Sequence, residues 1–168
     1  MSRPLRQMPR NVPVLARWLA LLLPLLLLGG ALGSQFVGGL VPCEMCVWQR
    51  WPHLAAIVVA LLAFFVRGRR QVAALVLLAA LLIAVSGAIG VYHAGTEYHW
   101  WQGVTACTAT PTQGSPMEML TEALRRPIVR CDVPQWTMFG ISLAGYNAIL
   151  SLGGAVLIAL LATRRSVR

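Results

Sequence analysis

Four long stretches without charged residues, each rich in apolar side chains, constrain what this 168-residue chain can fold into. Each stretch is long enough to cross a hydrocarbon core of about 30 Å as a helix, which takes about 20 residues. A helix suits lipid because it satisfies its own backbone hydrogen bonds. The predicted spans are residues 18–40, 46–66, 72–93 and 138–162. We therefore expect an all-α integral membrane protein, a four-helix bundle that forms one membrane domain over residues 1–168.

The composition excludes several other classes of protein. Hydrophobic residues make up 58% of the chain and charged residues only 11%, whereas a soluble domain has about 45–50% and about 25%. A typical soluble enzyme and a disordered chain are both excluded. The net charge of +9 would suggest a nucleic-acid partner in a soluble protein, but here we expect a lipid bilayer as the partner and no nucleic acid.

The distribution of charge predicts the orientation in the membrane. Arginines cluster in three segments, 3–17, 67–70 and 164–168, which four spans place on one side of the membrane. All five acidic residues fall on the other side, in the predicted loops 41–45 and 95–137. The positive-inside rule therefore predicts that both termini are cytoplasmic and that these two loops are outside.

The N-terminal segment has a second interpretation. The Arg-rich residues 2–17, the apolar core after them and the small residues near 31–34 are also typical of a cleavable signal peptide. We favour a retained span because the uncharged run continues as far as Pro42. Cleavage would leave the rest of the topology unchanged, since residue 34 is outside in both cases.

All four cysteines, Cys43, Cys46, Cys107 and Cys131, lie in the predicted outer loops or at their membrane edge. An oxidising compartment lets such residues pair, and four cysteines allow three connectivities. A bridge between Cys43 and Cys46 would close a very small loop and remove little entropy from the unfolded chain. The CEMC motif is therefore more typical of thiol chemistry than of a structural bridge.

Two alternatives for the cysteines remain open at the level of sequence. The pair Cys107 and Cys131 fits a structural disulfide as well as a redox-active one. A zinc site would need four ligands from two loops, and the second pair lacks the close spacing of zinc ligands.

Cys46 is predicted to lie in the first turn of the second helix. A helix from Cys46 to Val66 is about 31 Å long at a rise of about 1.5 Å per residue, which matches the membrane core. The positive end of the helix dipole favours a thiolate at Cys46. Arg50 lies one turn further on the same face.

An arginine inside a span costs a few kcal/mol unless it is paired or reaches the head groups. One interpretation of Arg50 is therefore a side chain that extends to the lipid head groups. The interpretation we favour is a cation that stabilises the Cys46 thiolate and binds the polar head of a lipid-soluble electron acceptor, of which a quinone is the obvious candidate.

The second outer loop contains a helix signal. Ser115 and Glu118 have the spacing of a capping box, and Pro116 suits the first helical position. Apolar residues then recur at helical spacing. We predict a short amphipathic helix over residues 116–126 that lies on the outer membrane surface, or alternatively packs on the protein itself.

The sequence CEMCVWQR at residues 43–50, at the start of the second of four spans, resembles the DsbB family of bacterial disulfide-forming membrane proteins. Further similarity is found in Tyr-His at 92–93, CDVPQW at 131–136 and FGIS at 139–142. The resemblance covers roughly residues 15–162. The sequence departs from the family at Gln49, where an acidic residue often precedes the arginine.

The resemblance implies a thiol:quinone oxidoreductase of the bacterial inner membrane with periplasmic redox loops. Its partners would be a periplasmic DsbA-like thioredoxin-fold protein and a membrane quinone, either ubiquinone or menaquinone. Cys107 would form the mixed disulfide with that protein, and Cys131 would then exchange with Cys43. Cys46 would be left as the thiolate that faces the quinone, and Arg50 and His93 would lie at the quinone site.

A rival from another class is a non-catalytic membrane scaffold with two structural disulfides. Arg50, one turn from Cys46, favours the enzyme because a scaffold has no need of a cation at that position.

Overall fold

The computed structural model describes residues 12–103, 115, 117 and 129–163. Within these residues the chain forms four long helices: α1 (Val14–Phe36), α2 (Glu44–Phe65), α3 (Arg69–Glu97) and α4 (Leu143–Thr163). Each is long and apolar enough to cross a membrane. The only strands among the described residues are β1 (Thr137–Met138) and β2 (Ile141–Ser142). The predicted all-α four-helix architecture is confirmed.

The helix ends differ most from the predicted span ends in three helices. The first helix runs from Val14 to Phe36, so both of its ends lie before those of the predicted span 18–40. The third helix begins at Arg69 and extends to Glu97, because its hydrogen bonding continues past the apolar run on both sides. The fourth helix begins at Leu143, after a hairpin in which β1 and β2 pair antiparallel. The two loop residues of this hairpin, Phe139 and Gly140, both have positive φ, which breaks any helix that would start at residue 138.

The helices pack through small residues. Helix α3 lies between α2 and α4, and α1 packs along α2. A Cβ atom added at Gly90 of α3 would lie 3.0 Å from the carbonyl oxygen of Ala144, so the two backbones approach closely there. The buried small side chains include Ala16, Ala20, Ala56, Ala60, Ala63, Ala79, Ala80, Ala144, Ala148 and Ala155. Small residues at the contacts, with larger apolar residues outside, are typical of membrane helix bundles.

Cys43 and the start of α2 lie at one end of the bundle, which we call the cysteine end, and Arg67 lies just beyond the other end of that helix. The end of α3, the hairpin and the start of α4 also meet at the cysteine end. The hydroxyl group of Tyr98 joins them, since it donates to the Gly140 carbonyl at 2.8 Å and accepts from the Ser142 amide at 2.9 Å. The predicted amphipathic helix over 116–126 falls outside the described residues except for Met117, which is helical.

Candidate functional site

Cys43 and Cys46 form a close thiol pair at the start of α2. Cys43 is the N-cap residue, and its Sγ atom accepts a hydrogen bond from the Cys46 amide at 3.3 Å. This cap places the two Sγ atoms 2.9 Å apart, with Cys46 in the first turn as predicted. The pKa of Cys43 is raised because its thiol donates to Cys46 and because it is buried. In this pair the Cys43 thiol is the hydrogen-bond donor and Cys46 Sγ is the acceptor.

His93 lies directly behind the thiol pair. Its Nε2 atom is 3.4 Å from Cys43 Sγ, and its Nδ1 atom is 2.9 Å from Nε2 of Gln49. Helix α3 buries His93 against α2, so that only 2% of the residue is exposed. The sequence-based expectation that His93 lies near Cys46 and Arg50 is consistent with this position.

Glu97 is a site residue that the sequence analysis counted only among the outer acids. It follows His93 by one helical turn, and its Oε1 atom is 3.7 Å from His93 Nε2. The Oε2 atom of Glu97 is buried and has no hydrogen-bond partner among the residues that the structure describes. The sequence does carry a signal for Glu97, since it lies four residues after a histidine at the end of a span.

Cys131 reaches the thiol pair from the segment before the hairpin. It is buried in one cluster with Cys43 and Met45, and Val129 packs against this cluster. The side chain of Gln135 donates to the Val41 carbonyl at 2.6 Å, which holds the two segments together. The structure therefore brings three of the four cysteines into one place. Cys107 lies outside the described residues, so its pairing stays a prediction.

Arg50 is held by α1. Its Nη1 atom donates to Oε1 of Gln35 at 2.5 Å, and its Nη2 atom donates to the Ala31 carbonyl at 3.3 Å. The Nε atom of Arg50 is buried and has no hydrogen-bond partner within the described part of the chain. These contacts pair the guanidinium group inside the span. They therefore lower the free-energy cost of an arginine at that depth in the membrane. The role of Gln35 was not foreseen, because nothing in the sequence relates it to Arg50.

A cavity of about 260 Å³ opens beside the thiol pair, between α1, α2 and α4. Its polar lining includes Cys46, Arg50, His93 and Glu97. The remaining walls are largely apolar: Leu26, Leu27, Leu28, Ala31, Leu40, Val41, Val133, Trp136, Leu143 and Ala144. An apolar cavity with a few convergent polar groups is the usual form of a small-molecule site.

The fold and the site define a class of protein: a helical membrane protein with a buried dithiol beside an apolar cavity. Comparison with known proteins identifies the family. The family model described as "Disulfide bond formation protein DsbB" matches residues 13–161, and the chain belongs to this family. The resemblance drawn from the CEMCVWQR motif is confirmed, and the protein is a multi-pass membrane protein of disulfide bond formation.

Two relatives illustrate the match. The chain is 31% identical over 143 residues to Disulfide bond formation protein B 2 of Pseudomonas syringae pv. syringae (strain B728a), covering 78% of this chain and 77% of the relative. It is 25% identical over 122 residues to Uncharacterized protein RP370 of Rickettsia prowazekii (strain Madrid E), covering 71% and 70%. No solved structure matches the chain significantly.

Proposed function

We propose that this protein is a thiol:quinone oxidoreductase of the bacterial inner membrane. It reoxidises a periplasmic DsbA-like thioredoxin-fold protein and passes the electrons to a bound quinone. The observation that carries this proposal is the Cys43–Cys46 pair, which lies against an apolar cavity that also contains Arg50 and His93. A dithiol needs such a neighbouring acceptor site if its electrons are to leave the protein.

The contact between Cys131 and Cys43 supports the exchange between the two loops. In the oxidised protein, the Cys131 thiolate would attack Sγ of Cys43 in the Cys43–Cys46 disulfide. The bond between Cys131 and Cys43 forms, the bond between Cys43 and Cys46 breaks, and Cys46 leaves as the thiolate. The burial of Cys131 in one cluster with Cys43 fits this step, because exchange requires direct access of one sulfur to the other. Cys107 would form the mixed disulfide with the partner protein.

The residues of the cavity fit a quinone. Among the described residues, three buried polar atoms of its lining have no hydrogen-bond partner: Arg50 Nε, His53 Nδ1 and Glu97 Oε2. Arg50 and His93 would hold a ring carbonyl near Cys46, and the leucine-rich wall of α1 would contact the isoprenoid tail. A bound quinone supplies an acceptor for two electrons and two protons. Ubiquinone and menaquinone both carry ring carbonyls and an isoprenoid tail, so these residues would serve either.

The charge pattern supports the proposed orientation. The cysteine end carries Glu44, Glu97 and Asp132, while Arg67, Arg69 and Arg70 lie at the opposite end of the bundle. The positive-inside rule places the arginines in the cytoplasm, and the thiol pair then faces the periplasm.

The test uses purified protein in detergent with a reduced thioredoxin-fold dithiol protein and a soluble quinone, followed by quinone absorbance. We expect reduction that is lost in Cys46→Ser and weakened in Arg50→Ala. Arg67→Ala, at the opposite end of the bundle, is the matched control and should be unaffected. If neither a ubiquinone nor a menaquinone analogue is reduced, and the cysteines resist mild thiol, the scaffold with structural disulfides replaces this proposal.

A further inference from the structure

A chain of buried and part-buried hydrogen bonds runs beside the thiol pair and crosses three helices. It begins on α2, where Nε2 of His53 lies 2.9 Å from Oδ1 of Asn147 on α4. The Nδ2 atom of Asn147 then lies 2.8 Å from Oε1 of Gln49, back on α2. Nε2 of Gln49 lies 2.9 Å from Nδ1 of His93 on α3. Polar side chains of this kind inside a bundle are costly unless each one is paired.

Two backbone carbonyls fix the direction of this chain. Nε2 of Gln49 is 3.1 Å from the Met45 carbonyl, and Nδ2 of Asn147 is 3.3 Å from the Ser86 carbonyl. A carbonyl oxygen only accepts hydrogen bonds, so both contacts identify the NH₂ ends of the two amides. The NH₂ group of Asn147 therefore donates to Gln49, and the NH₂ group of Gln49 donates to His93.

The direction of the chain decides where His93 carries its proton. Because Nδ1 of His93 accepts from Gln49, the proton of the neutral imidazole lies on Nε2. Nε2 faces Cys43 Sγ at 3.4 Å, so His93 donates to that sulfur. Oε1 of Glu97, at 3.7 Å from Nε2, and the Cys131 backbone are further acceptors beside the ring. The Cys46 amide donates to the same sulfur at 3.3 Å.

Because the Cys43 sulfur accepts from these two donors, its own thiol proton points toward Cys46, whose Sγ atom is 2.9 Å away. Every hydrogen bond from Asn147 to Cys46 then runs in the same direction. Donors to Cys43 Sγ stabilise negative charge on that sulfur directly and also strengthen its thiol as a donor to Cys46. Both sulfurs line the cavity.

We propose that Gln49 and Asn147 are positioning residues that hold His93 as the Nε2–H tautomer, so that His93 presents an N–H group, and not a lone pair, to the sulfur of Cys43. This inference rests on the proposed function only in taking Cys43 and Cys46 as the reacting dithiol. It also gives Gln49 a physical role at the position where the family resemblance led us to expect an acidic residue.

The same tautomer bears on metal binding. The ligand atoms of Cys43, Cys46 and His93 all lie within 4.8 Å of one another, which is close enough to hold a metal ion. Binding through Nε2 would need the lone pair of that atom, which the proton occupies in the Nε2–H tautomer. Gln49 therefore protects the dithiol from capture by soft divalent cations as well as orienting His93.

The change Gln49→Glu inverts this arrangement. Both carboxylate oxygens are acceptors, so one accepts from Asn147 and the other faces Nδ1 of His93. The imidazole proton then moves to Nδ1, and the Nε2 lone pair turns toward the two sulfurs. We expect the reduced Gln49→Glu protein to bind Cd²⁺, giving the ultraviolet charge-transfer band of metal–thiolate bonds, while the parent protein binds it at least about tenfold more weakly.

The direct test is ¹⁵N NMR of the reduced protein labelled at histidine. The chain has only three histidines, His53, His93 and His99, and the two neutral tautomers give well-separated nitrogen shifts. We expect Nε2–H for His93, assigned by loss of its signals in His93→Gln. His99 is the internal reference with the opposite tautomer, since its Nδ1 atom lies 3.2 Å from the Thr96 carbonyl.

Three variants complete the experiment. Gln49→Glu should move the His93 proton to Nδ1, and Asn147→Leu should give a mixture of tautomers. Ser151→Ala is the matched control, because Ser151 donates to Asn147 at 3.0 Å but lies outside the directed chain. Nδ1–H at His93 in the parent protein, or an unchanged tautomer in Gln49→Glu, would overturn the proposal.

A second measurement applies to variants that are too poorly folded for NMR spectroscopy. Site-resolved alkylation of the reduced protein at neutral pH gives the ratio of modified Cys46 to modified Cys43. Loss of one donor to Cys43 in Gln49→Met destabilises the Cys43 thiolate and should raise this ratio about fivefold, the value of one hydrogen bond; an unchanged or lowered ratio would contradict the proposal. Neither readout uses a quinone or a partner protein, so failure of this inference and failure of the proposed function are distinguishable.

Discussion

The Sγ atom of Cys43 lies 3.4 Å from Nε2 of His93, although 50 positions separate the two residues in the sequence. This contact joins the start of α2 to the last turns of α3. It places an imidazole beside the sulfur of Cys43, while Cys46 lies one turn from Arg50, and all four residues line the cavity. The two cysteines of one short motif therefore have different surroundings, and we expect them to react differently.

The raised pKa of Cys43 gives a testable pH dependence. The main cause is the hydrogen bond from its thiol to Cys46, and burial adds to it. Cys46→Ala removes the acceptor, so the pKa of Cys43 should fall toward the ordinary value for a thiol, and alkylation of Cys43 should begin at lower pH. Site-resolved alkylation of the reduced protein across a pH series measures this shift. Val47→Ala is the control, and a rise in the alkylation midpoint of Cys43 in Cys46→Ala would contradict the assignment of the pair.

Arg50 is expected to act on the acceptor rather than on the dithiol. A hydrogen bond to a charged group is worth about 1.5–3 kcal/mol, so Arg50→Ala should raise the KM for a soluble quinone about tenfold or more. Gln35→Met removes the hydrogen-bond partner of Arg50 at 2.5 Å but keeps the charge, and its effect on KM should be much smaller. Steady-state kinetics with both variants measure the difference. Equal effects would assign Arg50 a role in packing α1 against α2 only.

The cluster of Cys131 with Cys43 predicts a trappable disulfide between the two loops. In a Cys46→Ser, Cys107→Ser double variant, mild oxidation should join Cys43 to Cys131, because the two residues are buried side by side. Non-reducing peptide mapping by mass spectrometry detects the bond. A further Cys131→Ser change is the control and should abolish it. Failure of Cys43 and Cys131 to cross-link would argue against exchange between the loops.

Close packing of α3 on α4 predicts which glycines are essential to the bundle. A side chain at Gly90 would approach the Ala144 carbonyl to 3.0 Å, so Gly90→Val should separate the helices and lower the thermal midpoint in detergent. A Cβ at Gly153 would have no neighbour within 4 Å in residues 12–103 and 129–163. Gly153→Ala should therefore be neutral or stabilising by up to about 1 kcal/mol, from helix propensity alone. Equal loss of stability in both variants would contradict this packing.

Much of the architecture could be predicted because the bilayer itself restricts the folds that the chain can adopt. A long uncharged run must cross lipid as a helix, so run length alone gives four spans, and the CEMC motif just before the second run places Cys46 in the first turn of α2. The start of α4 was harder to predict from the sequence. Residues 138–142 are apolar enough to continue a span, but the positive φ of Phe139 and Gly140 makes them a hairpin.

The sequence by itself determined the spans, the position of the thiol pair at the start of a helix and the family to which the chain belongs. Only the tertiary structure decided that Gln49 and Asn147 contact each other, that Arg50 is paired with Gln35, and that Glu97 faces the cavity. The physical reason is that these helices are apolar on nearly all sides. Their sequences show that they lie in a membrane, but the rotation that brings particular side chains together is set by close packing of small residues between helices.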